Sequence, residues 1–302
     1  MSTSPESRRE QPSTYFVQDR ANKDEIKRLQ VQDQMITASM GGVLPEQPDP
    51  TTFQRVLDVG CGTGGWLIEV AKTYPNVVRA VGIDISGKMV EYARSQAQTQ
   101  EVAERVEFHV MDALRPLEFP ADSFDLVNMR FGLSYLRKWD WPNVLSEFYR
   151  IARPGGVARL TESGLTAECN SPALIRLCQM LLQALYQAGQ SFTPRGDGVT
   201  SQLEGLLRQF GLQDVQTRSY ESEYHAGTVE GQRYYEDMKH AYSTLQPFLR
   251  KWTQVPNDYE QIYQQALIEI QRPGFVAKWS LLTAWGTIPE NKQRTMSTMQ
   301  PD

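Results

Sequence analysis

Short runs of Val, Ile and Leu alternate with helical patterns from Arg55 onward, and this alternation constrains the fold more than any other feature of the sequence. The apolar runs predict strands at 56–59, 78–84, 106–111, 124–129 and 157–162, and the helical patterns lie at 65–74, 87–97 and 141–152. Strands buried on both faces read as continuous apolar runs, and connecting helices favour a parallel sheet with right-handed crossovers. The sequence therefore predicts an α/β fold with a mostly parallel sheet and flanking helices.

The pattern changes after Gly164. Further helices are predicted at 172–188, 201–210, 229–252 and 257–271, and two more strands at 215–220 and 275–285, which bring the predicted sheet to seven strands. The segment at about 226–274 is a helical insertion that carries many aromatic residues, namely Tyr234, Tyr235, Tyr242, Phe248, Trp252, Tyr259 and Tyr263. These aromatics either form an apolar cap over a ligand or only pack the added helices together. The sequence leaves both interpretations open.

The chain is predicted to divide into four parts. Residues 1–20 form a flexible N-terminal segment, 21–50 an amphipathic helix (22–40) and a proline-containing linker, 51–287 the main domain, and 288–302 a flexible tail. Residues 1–14 are polar and carry two prolines, and residues 288–302 repeat that character, so both ends are expected to be frayed.

Composition narrows the class of protein. The 31 basic and 36 acidic residues give a net charge of −5, so a nucleic-acid partner is not expected. No run of about 18 apolar residues predicts a membrane span. Cys61, Cys169 and Cys178 form no CxxC pair, so neither a disulfide framework nor a metal site is expected. These features indicate a cytoplasmic protein in a reducing compartment.

A glycine-rich turn, Asp58-Val59-Gly60-Cys61-Gly62-Thr63-Gly64-Gly65, joins the first predicted strand to the next helix. Glycines there allow positive φ and bring bare backbone close to a ligand at the carboxyl ends of the strands. Gly60, Gly62 and Gly65 also satisfy G-x-G-x-x-G, so the glycines alone do not separate a nicotinamide cofactor from S-adenosylmethionine.

Three carboxylates follow strand ends and add information. Asp58, two positions before the first glycine, is placed to attract a cationic amine and to repel a pyrophosphate. Asp84 ends the next strand, where an acidic side chain binds the ribose hydroxyls of either cofactor. Asp112 follows the third strand, where a carboxylate accepts a hydrogen bond from an adenine amino group.

Taken together, the segments V-L-D-V-G-C-G-T-G, G-I-D-I-S, V-M-D-A, F-D-L-V-N-M-R-F and R-P-G-G resemble the class I S-adenosylmethionine-dependent methyltransferase family, in its small-molecule branch. The resemblance covers roughly residues 53–163 and implies a Rossmann-like fold. It also implies a set of cofactor-binding residues, which are Asp58, Gly60, Cys61, Gly62, Gly64, Asp84, Ile85, Met89, Asp112, Ala113, Asn128 and Arg130.

The resemblance implies a role for each group. The glycine loop would wrap the methionine part of the cofactor, and Asp58 would support the loop or reach the amino group through water. Ile85 and Met89 would flank the adenine, and Asn128 and Arg130 would lie near the methionine end. The helix at 22–40 is similar to lids that cover the cofactor, with three polar residues in or before it, namely Tyr15, Arg20 and Gln34.

Methyl transfer from a sulfonium is an in-line displacement, so the protein mainly aligns the acceptor and excludes water. An oxygen acceptor benefits from a general base. Glu162, at the end of the fifth strand, and His225, beyond the sixth, are the catalytic candidates, whereas His109 and His240 are interpreted as packing residues. A capping or salt-bridging role for Glu162 and a plain loop position for His225 stay open. If the aromatic insertion forms a cap, the acceptor is a hydrophobic small molecule of the secondary-metabolite type.

Two alternatives to a methyltransferase stay open from the sequence. One is an NAD-dependent oxidoreductase that uses the same glycine turn. The other is a methyltransferase-like regulator that binds the cofactor without turnover. A homodimer formed through the insertion is a further possibility.

Overall fold

The computed structural model of the protein describes residue 15 and the ranges 23–165 and 168–292. Within these residues the strands are β1 (Arg55–Val59), β2 (Arg79–Asp84), β3 (Val106–Val110), β4 (Phe124–Arg130), β5 (Ala152–Ser163), β6 (Glu168–Cys169), β7 (Gln213–His225) and β8 (Val276–Thr287). The α-helices of the same residues are α1 (Lys23–Met40), α2 (Gly65–Thr73), α3 (Gly87–Thr99), α4 (Trp141–Ile151), α5 (Pro172–Gln187), α6 (Leu203–Gln209), α7 (Val229–Thr244), α8 (Gln246–Trp252) and α9 (Tyr259–Ile270).

The strands form one mixed sheet in the order β3-β2-β1-β4-β5-β8, with β7 paired to the far side of β8. Pairs from β3 to β5 are parallel, and β8 runs antiparallel to β5 and β7. The predicted mostly parallel, Rossmann-like fold is confirmed. The described sheet has eight strands rather than seven, because the two-residue β6 pairs with β8 beyond the end of β5.

Both faces of the sheet are covered, as the continuous apolar strands require. On one face Val56 packs in a cluster with Trp66 and Val90 from α2 and α3. On the other face Leu57 packs in a second cluster with Phe148 from α4. All five side chains are at most 2% exposed. The carboxyl ends of the parallel strands therefore meet at one edge of the sheet, on a rigid support.

The C-terminal half differs from its prediction in three respects. The single helix expected at 229–252 is two helices, α7 and α8, since Pro247 in the first turn of α8 has no amide hydrogen with which to continue α7. Strands β7 and β8 are longer than predicted because they form one extended hairpin ladder that the insertion interrupts only at its tip. Residues 288–292, expected in the tail, belong to the fold: Ile288 is 0% exposed, and the Lys292 ammonium donates to Asp122 at 2.6 Å.

Helix α1 lies against α7 and the start of α2, while α5 packs on α8 and α9. Of these helices, α1, α5 and α7 stand over the edge where β1, β2 and β4 end. Of the predicted flexible ends, residues 1–14 and 293–302 lie outside the described residues, as does Arg20. Within the described part, no helix is long and apolar enough to cross a membrane.

Candidate active site

The loop after β1 has the backbone that the glycines predict. Gly60, Gly62 and Gly64 have φ values of +71°, +52° and +77°. Gly62 faces open space, because a Cβ there would meet no atom within 4 Å. Gly64 has a different role: a Cβ there would lie 2.6 Å from the Phe108 ring, so this glycine permits close packing of α2 on the sheet. Gly64 does not border the pocket described below, whereas Gly65 does.

Asp84 is held in place by backbone amides at the end of β2. The Gly62 amide donates to Asp84 Oδ2 at 3.1 Å, and the Ser86 amide donates to Oδ1 at 2.8 Å. The carboxylate therefore links the glycine loop to the start of α3. It borders the pocket, in the position predicted for a ribose-binding residue.

Asp58 is the first member of a chain of buried polar side chains. Asn128 Nδ2 donates to Asp58 Oδ1 at 2.7 Å, and Arg159 Nη1 donates to Asn128 Oδ1 at 2.8 Å. Arg159 Nε in turn donates to Glu46 at 2.7 Å. Burial raises the pKa of Asp58 to about 6, although Arg130 and Asn128 favour its charged form. Asp58 borders the pocket but Asn128 does not, so Asn128 is connected to the pocket through its hydrogen bond to Asp58.

The predicted adenine side is mostly apolar. Ile85, Met89 and Ala113 border the pocket, and the buried Cys61 lies in its wall. Asp112 also borders it, while its carboxylate accepts a hydrogen bond from the Leu114 amide at 2.9 Å. Asp112 therefore caps its own turn and faces the pocket at the same time.

Helix α1 covers this side of the pocket through residues that recur at helical spacing, namely Leu29, Gln32, Asp33 and Ile36. Arg130 Nη2 donates to Asp33 Oδ1 at 2.5 Å, which joins the helix to the end of β4. The other oxygen of Asp33 lies beside Gly65, at the N-terminus of α2, where a Cβ would collide with it. Tyr15 borders the pocket as predicted, whereas Gln34 is exposed and does not.

The same pocket continues into a chamber between α5, α7 and β8, with a total volume of about 330 Å³. The chamber wall is mostly apolar and includes Cys178, Leu181, Leu185, Tyr234, Met238, Tyr242, Leu245 and Trp279. Tyr242 donates a hydrogen bond to Cys178 Sγ at 3.0 Å. Of the predicted cap aromatics, Tyr234 and Tyr242 border the chamber, and the other five do not. Tyr259 supports the cap from behind by donating to the Tyr242 carbonyl at 2.7 Å.

Neither catalytic candidate from the sequence borders the pocket. Glu162 is 1% exposed and lies behind the turn at 132–134, where the Leu133 amide donates to it at 3.3 Å. Burial raises the pKa of Glu162 to about 8, since no described cation neutralises it. His225 is exposed at the end of β7 and pairs with Glu223 at 2.8 Å. The sequence places both residues near strand ends. A strand-end position does not show whether the side chain faces the pocket or is covered by other residues.

Several pocket residues were not predicted. Asp33 and Arg28 on α1, Asp237 on α7 and the α5 face of Cys178, Leu181 and Leu185 all border the pocket. The spacing of 178, 181 and 185 is that of one helical face, so periodicity shows that these residues share a face. It does not show that the face lines a cavity instead of a solid core.

A pocket at the carboxyl edge of a doubly covered parallel sheet, with a glycine loop and an acidic residue on the second strand, is the arrangement of a Rossmann-like nucleotide-binding site. Residues 56–156 match the family model described as "Methyltransferase domain". This segment is therefore a methyltransferase domain, in agreement with the resemblance to class I S-adenosylmethionine-dependent methyltransferases, and S-adenosylmethionine is the cofactor of those enzymes.

Named relatives agree with this family. The chain is 39% identical over 101 residues to demethylmenaquinone methyltransferase of Lactiplantibacillus plantarum, covering 33% of this chain and 41% of that protein. It is 35% identical over 134 residues to 27-O-demethylrifamycin SV methyltransferase of Amycolatopsis mediterranei, covering 44% and 46%. It is 28% identical over 188 residues to an O-methyltransferase of Aspergillus nomiae, covering 62% and 75%. For the first two, the match spans less than half of the relative's length.

Solved structures share the fold. Phosphoethanolamine N-methyltransferase 2 of Haemonchus contortus, in complex with S-adenosyl-L-methionine, has a TM-score of 0.53 at 20% identity, covering 91% of this chain and 60% of that one. The YcgJ protein of Bacillus subtilis has a TM-score of 0.52 at 18% identity, covering 84% and 99%. At these identities the likeness establishes the fold alone.

Proposed function

We propose that the protein transfers a methyl group from S-adenosylmethionine to a small, hydrophobic organic acceptor of the secondary-metabolite type. The observation that supports this most is that one pocket joins the glycine loop to the apolar chamber under α5 and α7. Such a pocket can bring a bound cofactor and a bound acceptor together without exposing either to bulk water.

The residues at the sheet edge fit S-adenosylmethionine. Gly62 leaves room for a ligand against bare backbone, Asp84 presents a fixed carboxylate for a ribose, and Ile85 and Met89 offer an apolar surface for adenine. Bound S-adenosylmethionine supplies a methyl group on a positively charged sulfur. The protein's part is to hold the two reactants in line and to keep the chamber dry.

A nicotinamide dinucleotide fits this edge less well. A Rossmann dinucleotide site places the pyrophosphate at the N-terminus of the helix after the glycine loop. Here the Asp33 carboxylate lies beside Gly65 at that N-terminus, and Asp58 borders the pocket close by. Arg130 is bonded to Asp33, so the two carboxyl groups together exceed this one cation. The remaining negative charge opposes a pyrophosphate but suits the ammonium group of a methionine moiety.

The acceptor class rests on the chamber and on the relatives. The chamber is lined mainly by aliphatic, thiol and aromatic side chains, which favour a hydrophobic ligand. Relatives named for rifamycin and menaquinone precursors point to the same class. A cytoplasmic location, a possible homodimer and the lack of a nucleic-acid partner are proposals too; the free cysteines are consistent with the first.

Calorimetric titration of the purified protein with S-adenosylhomocysteine and, separately, with NAD⁺ tests the cofactor. We expect S-adenosylhomocysteine to bind and NAD⁺ to show no saturable heat. Asp84→Asn should weaken binding at least tenfold because it removes the fixed carboxylate. Asp214→Asn makes the same chemical change at an exposed residue near the start of β7 that has positive φ, which Asn tolerates, and should leave binding unchanged.

Binding of NAD⁺ without S-adenosylhomocysteine would overturn the proposal in favour of an oxidoreductase. A panel of hydroxylated and aminated aromatic compounds, assayed by mass spectrometry for a gain of one methyl group, tests turnover. Tight binding of S-adenosylhomocysteine with no methylated product across the panel would instead favour the regulator.

A further inference from the structure

Three buried charged side chains meet where α1 crosses α7. Glu25, Arg28 and Asp237 are 0%, 4% and 1% exposed. Arg28 Nε and Nη2 each donate to Glu25 at 2.8 Å, and Arg28 Nη1 donates to Asp237 Oδ1 at 3.1 Å. We call these three residues the ion cluster. Because two carboxyl groups share one guanidinium, removing either carboxylate leaves the other to balance Arg28.

The two carboxyl groups of the ion cluster have different surroundings. Glu25 does not border the pocket, and it accepts hydrogen bonds from Arg28 and from the Tyr15 hydroxyl at 2.9 Å. Asp237 does border the pocket. The hydrogen bond that its Oδ2 accepts from Gln32 Nε2 is long, at 3.4 Å. A carboxylate has about four acceptor positions, so Asp237 keeps capacity for a ligand.

Asp237 is also the carboxyl group that the cap contributes to the chamber. The other carboxylates that border the pocket, Asp33, Asp58, Asp84 and Asp112, belong to α1 and the sheet edge. On α7, Asp237 stands between Tyr234, Met238 and Ala241, and within the described residues no histidine borders the pocket. In a mainly apolar chamber, a few polar groups fix the orientation of the ligand.

We propose that Asp237 binds the acceptor by accepting a hydrogen bond from a hydroxyl or protonated amino group on an otherwise apolar molecule. This inference rests on the proposed function, since it assigns the chamber to the methyl acceptor. A site built to accept a hydrogen bond discriminates strongly against an analogue that lacks the donor, because the buried carboxyl group is then left unsatisfied.

The test uses full-length protein saturated with S-adenosylhomocysteine and four probes that share one ring system: 2-naphthol, 2-naphthylmethylamine, 2-methoxynaphthalene and 2-naphthoate. Binding is followed by calorimetry. We expect 2-naphthol or the amine to bind at least tenfold more tightly than 2-methoxynaphthalene, with 2-naphthoate weakest. Which of the two donors binds more tightly distinguishes a hydroxyl from a cationic acceptor.

Asp237→Asn and Glu25→Gln form a matched pair, because each removes one charge from the ion cluster and leaves one carboxylate opposite Arg28. In Asp237→Asn, Arg28 orients the amide oxygen toward itself, so the amide NH2 group faces the chamber as a donor. This variant should lose the preference for 2-naphthol over its methyl ether, whereas Glu25→Gln should keep it.

The inference is overturned if 2-methoxynaphthalene binds as tightly as the donors, if none of the probes binds, or if the two variants change the preference equally. The probe series on the unmodified protein decides the question even if Asp237→Asn does not fold. Failure to bind S-adenosylhomocysteine at the outset would overturn the proposed function instead, so the two failures are distinguishable.

Discussion

Glu162 illustrates how burial changes the chemistry of a single side chain. It is the next-to-last residue of β5, is 1% exposed, and accepts backbone hydrogen bonds from the turn at 132–134. That turn carries Leu133 and Ser134, which border the pocket. Glu162 therefore supports the pocket wall from behind.

Burial raises the pKa of Glu162 to about 8, so the folded state keeps a proton that the unfolded chain releases near pH 4.5. The stability that this proton confers is fully present below pH 4.5 and is lost as the pH rises through 8. Glu162→Gln does not titrate. Between pH 5 and pH 8, the free energy of unfolding measured with urea should rise in the variant relative to the unmodified protein. The expected gain is a few kcal/mol, at about 1.4 kcal/mol per pKa unit.

Asp58 titrates in both proteins with its pKa raised to about 6, so its contribution cancels in this difference. Parallel stability curves for the two proteins would show that Glu162 stays ionised in the fold. S-adenosylhomocysteine binding should be the same in both, because Glu162 does not border the pocket.

At this scale the sequence identifies residues better than it assigns their contacts. Asp58, Asp84 and Asp112 border the pocket as their strand-end positions suggest. Gly64 and Asn128 match the family pattern equally well, yet one packs against Phe108 and the other lies under Asp58. Such differences depend on neighbours that are distant in the chain, which a local pattern does not contain.

One ion pair joins helix α1 to the end of β4. Asp33 and Arg130 bond at 2.5 Å with side chains 17% and 13% exposed. The helix itself is mainly polar, and its buried residues include Met35, Ile36 and Met40. A helix with so few apolar anchors is a suitable element to open and close over a cofactor.

Asp33→Asn should loosen this attachment. We expect S-adenosylhomocysteine to dissociate about 3- to 10-fold faster, a loss of about 1 kcal/mol that is typical of one partly exposed ion pair. Stopped-flow tryptophan fluorescence measures the rate, and hydrogen exchange of α1 amides should rise in the same variant. Glu104→Gln, at an exposed position remote from α1, is the control. Unchanged dissociation and exchange would show that the Asp33–Arg130 ion pair does not hold α1 in place.

Among the elements, the sequence predicts the alternating region more accurately than the C-terminal half. Strands β1 to β4 and their helices follow continuous apolar runs with clear glycine and proline boundaries. The break between α7 and α8 was missed because apolar periodicity continues across Pro247. The two-residue β6 has no pattern of its own, since its pairing with β8 depends on where β5 ends.

On the scale of the whole molecule, the buried polar chain from Asp58 to Glu46 connects the pocket to the linker. Arg159 is 0% exposed and bonds to both Asn128 and Glu46. Burial alone would raise the pKa of Glu46, but the Arg159 guanidinium outweighs that effect and lowers it. Loss of either Arg159 or Glu46 is expected to destabilise the fold, because the remaining charge would be buried without its partner.

Arg159→Met should destabilise the protein by about 3–5 kcal/mol, because Glu46 would remain buried without its cation. The double variant Glu46→Gln/Arg159→Met should recover part of that loss, since no unpaired charge remains. Thermal and urea unfolding measure both. Arg176→Met removes an arginine that is 52% exposed and should cost at most about 1 kcal/mol. Equal effects at positions 159 and 176 would contradict the role of the polar chain.

The sheet-edge residues of the pocket and the helices that cover them come from different parts of the chain. The glycine loop, Asp84 and Asp112 lie within the segment 56–156 that matches the family model, whereas α1, α5 and α7 lie outside it. Mutations in α5 and α7 can therefore accumulate without changing the glycine loop, Asp84 or Asp112. In such an arrangement, a lineage can exchange one methyl acceptor for another while its cofactor chemistry stays constant.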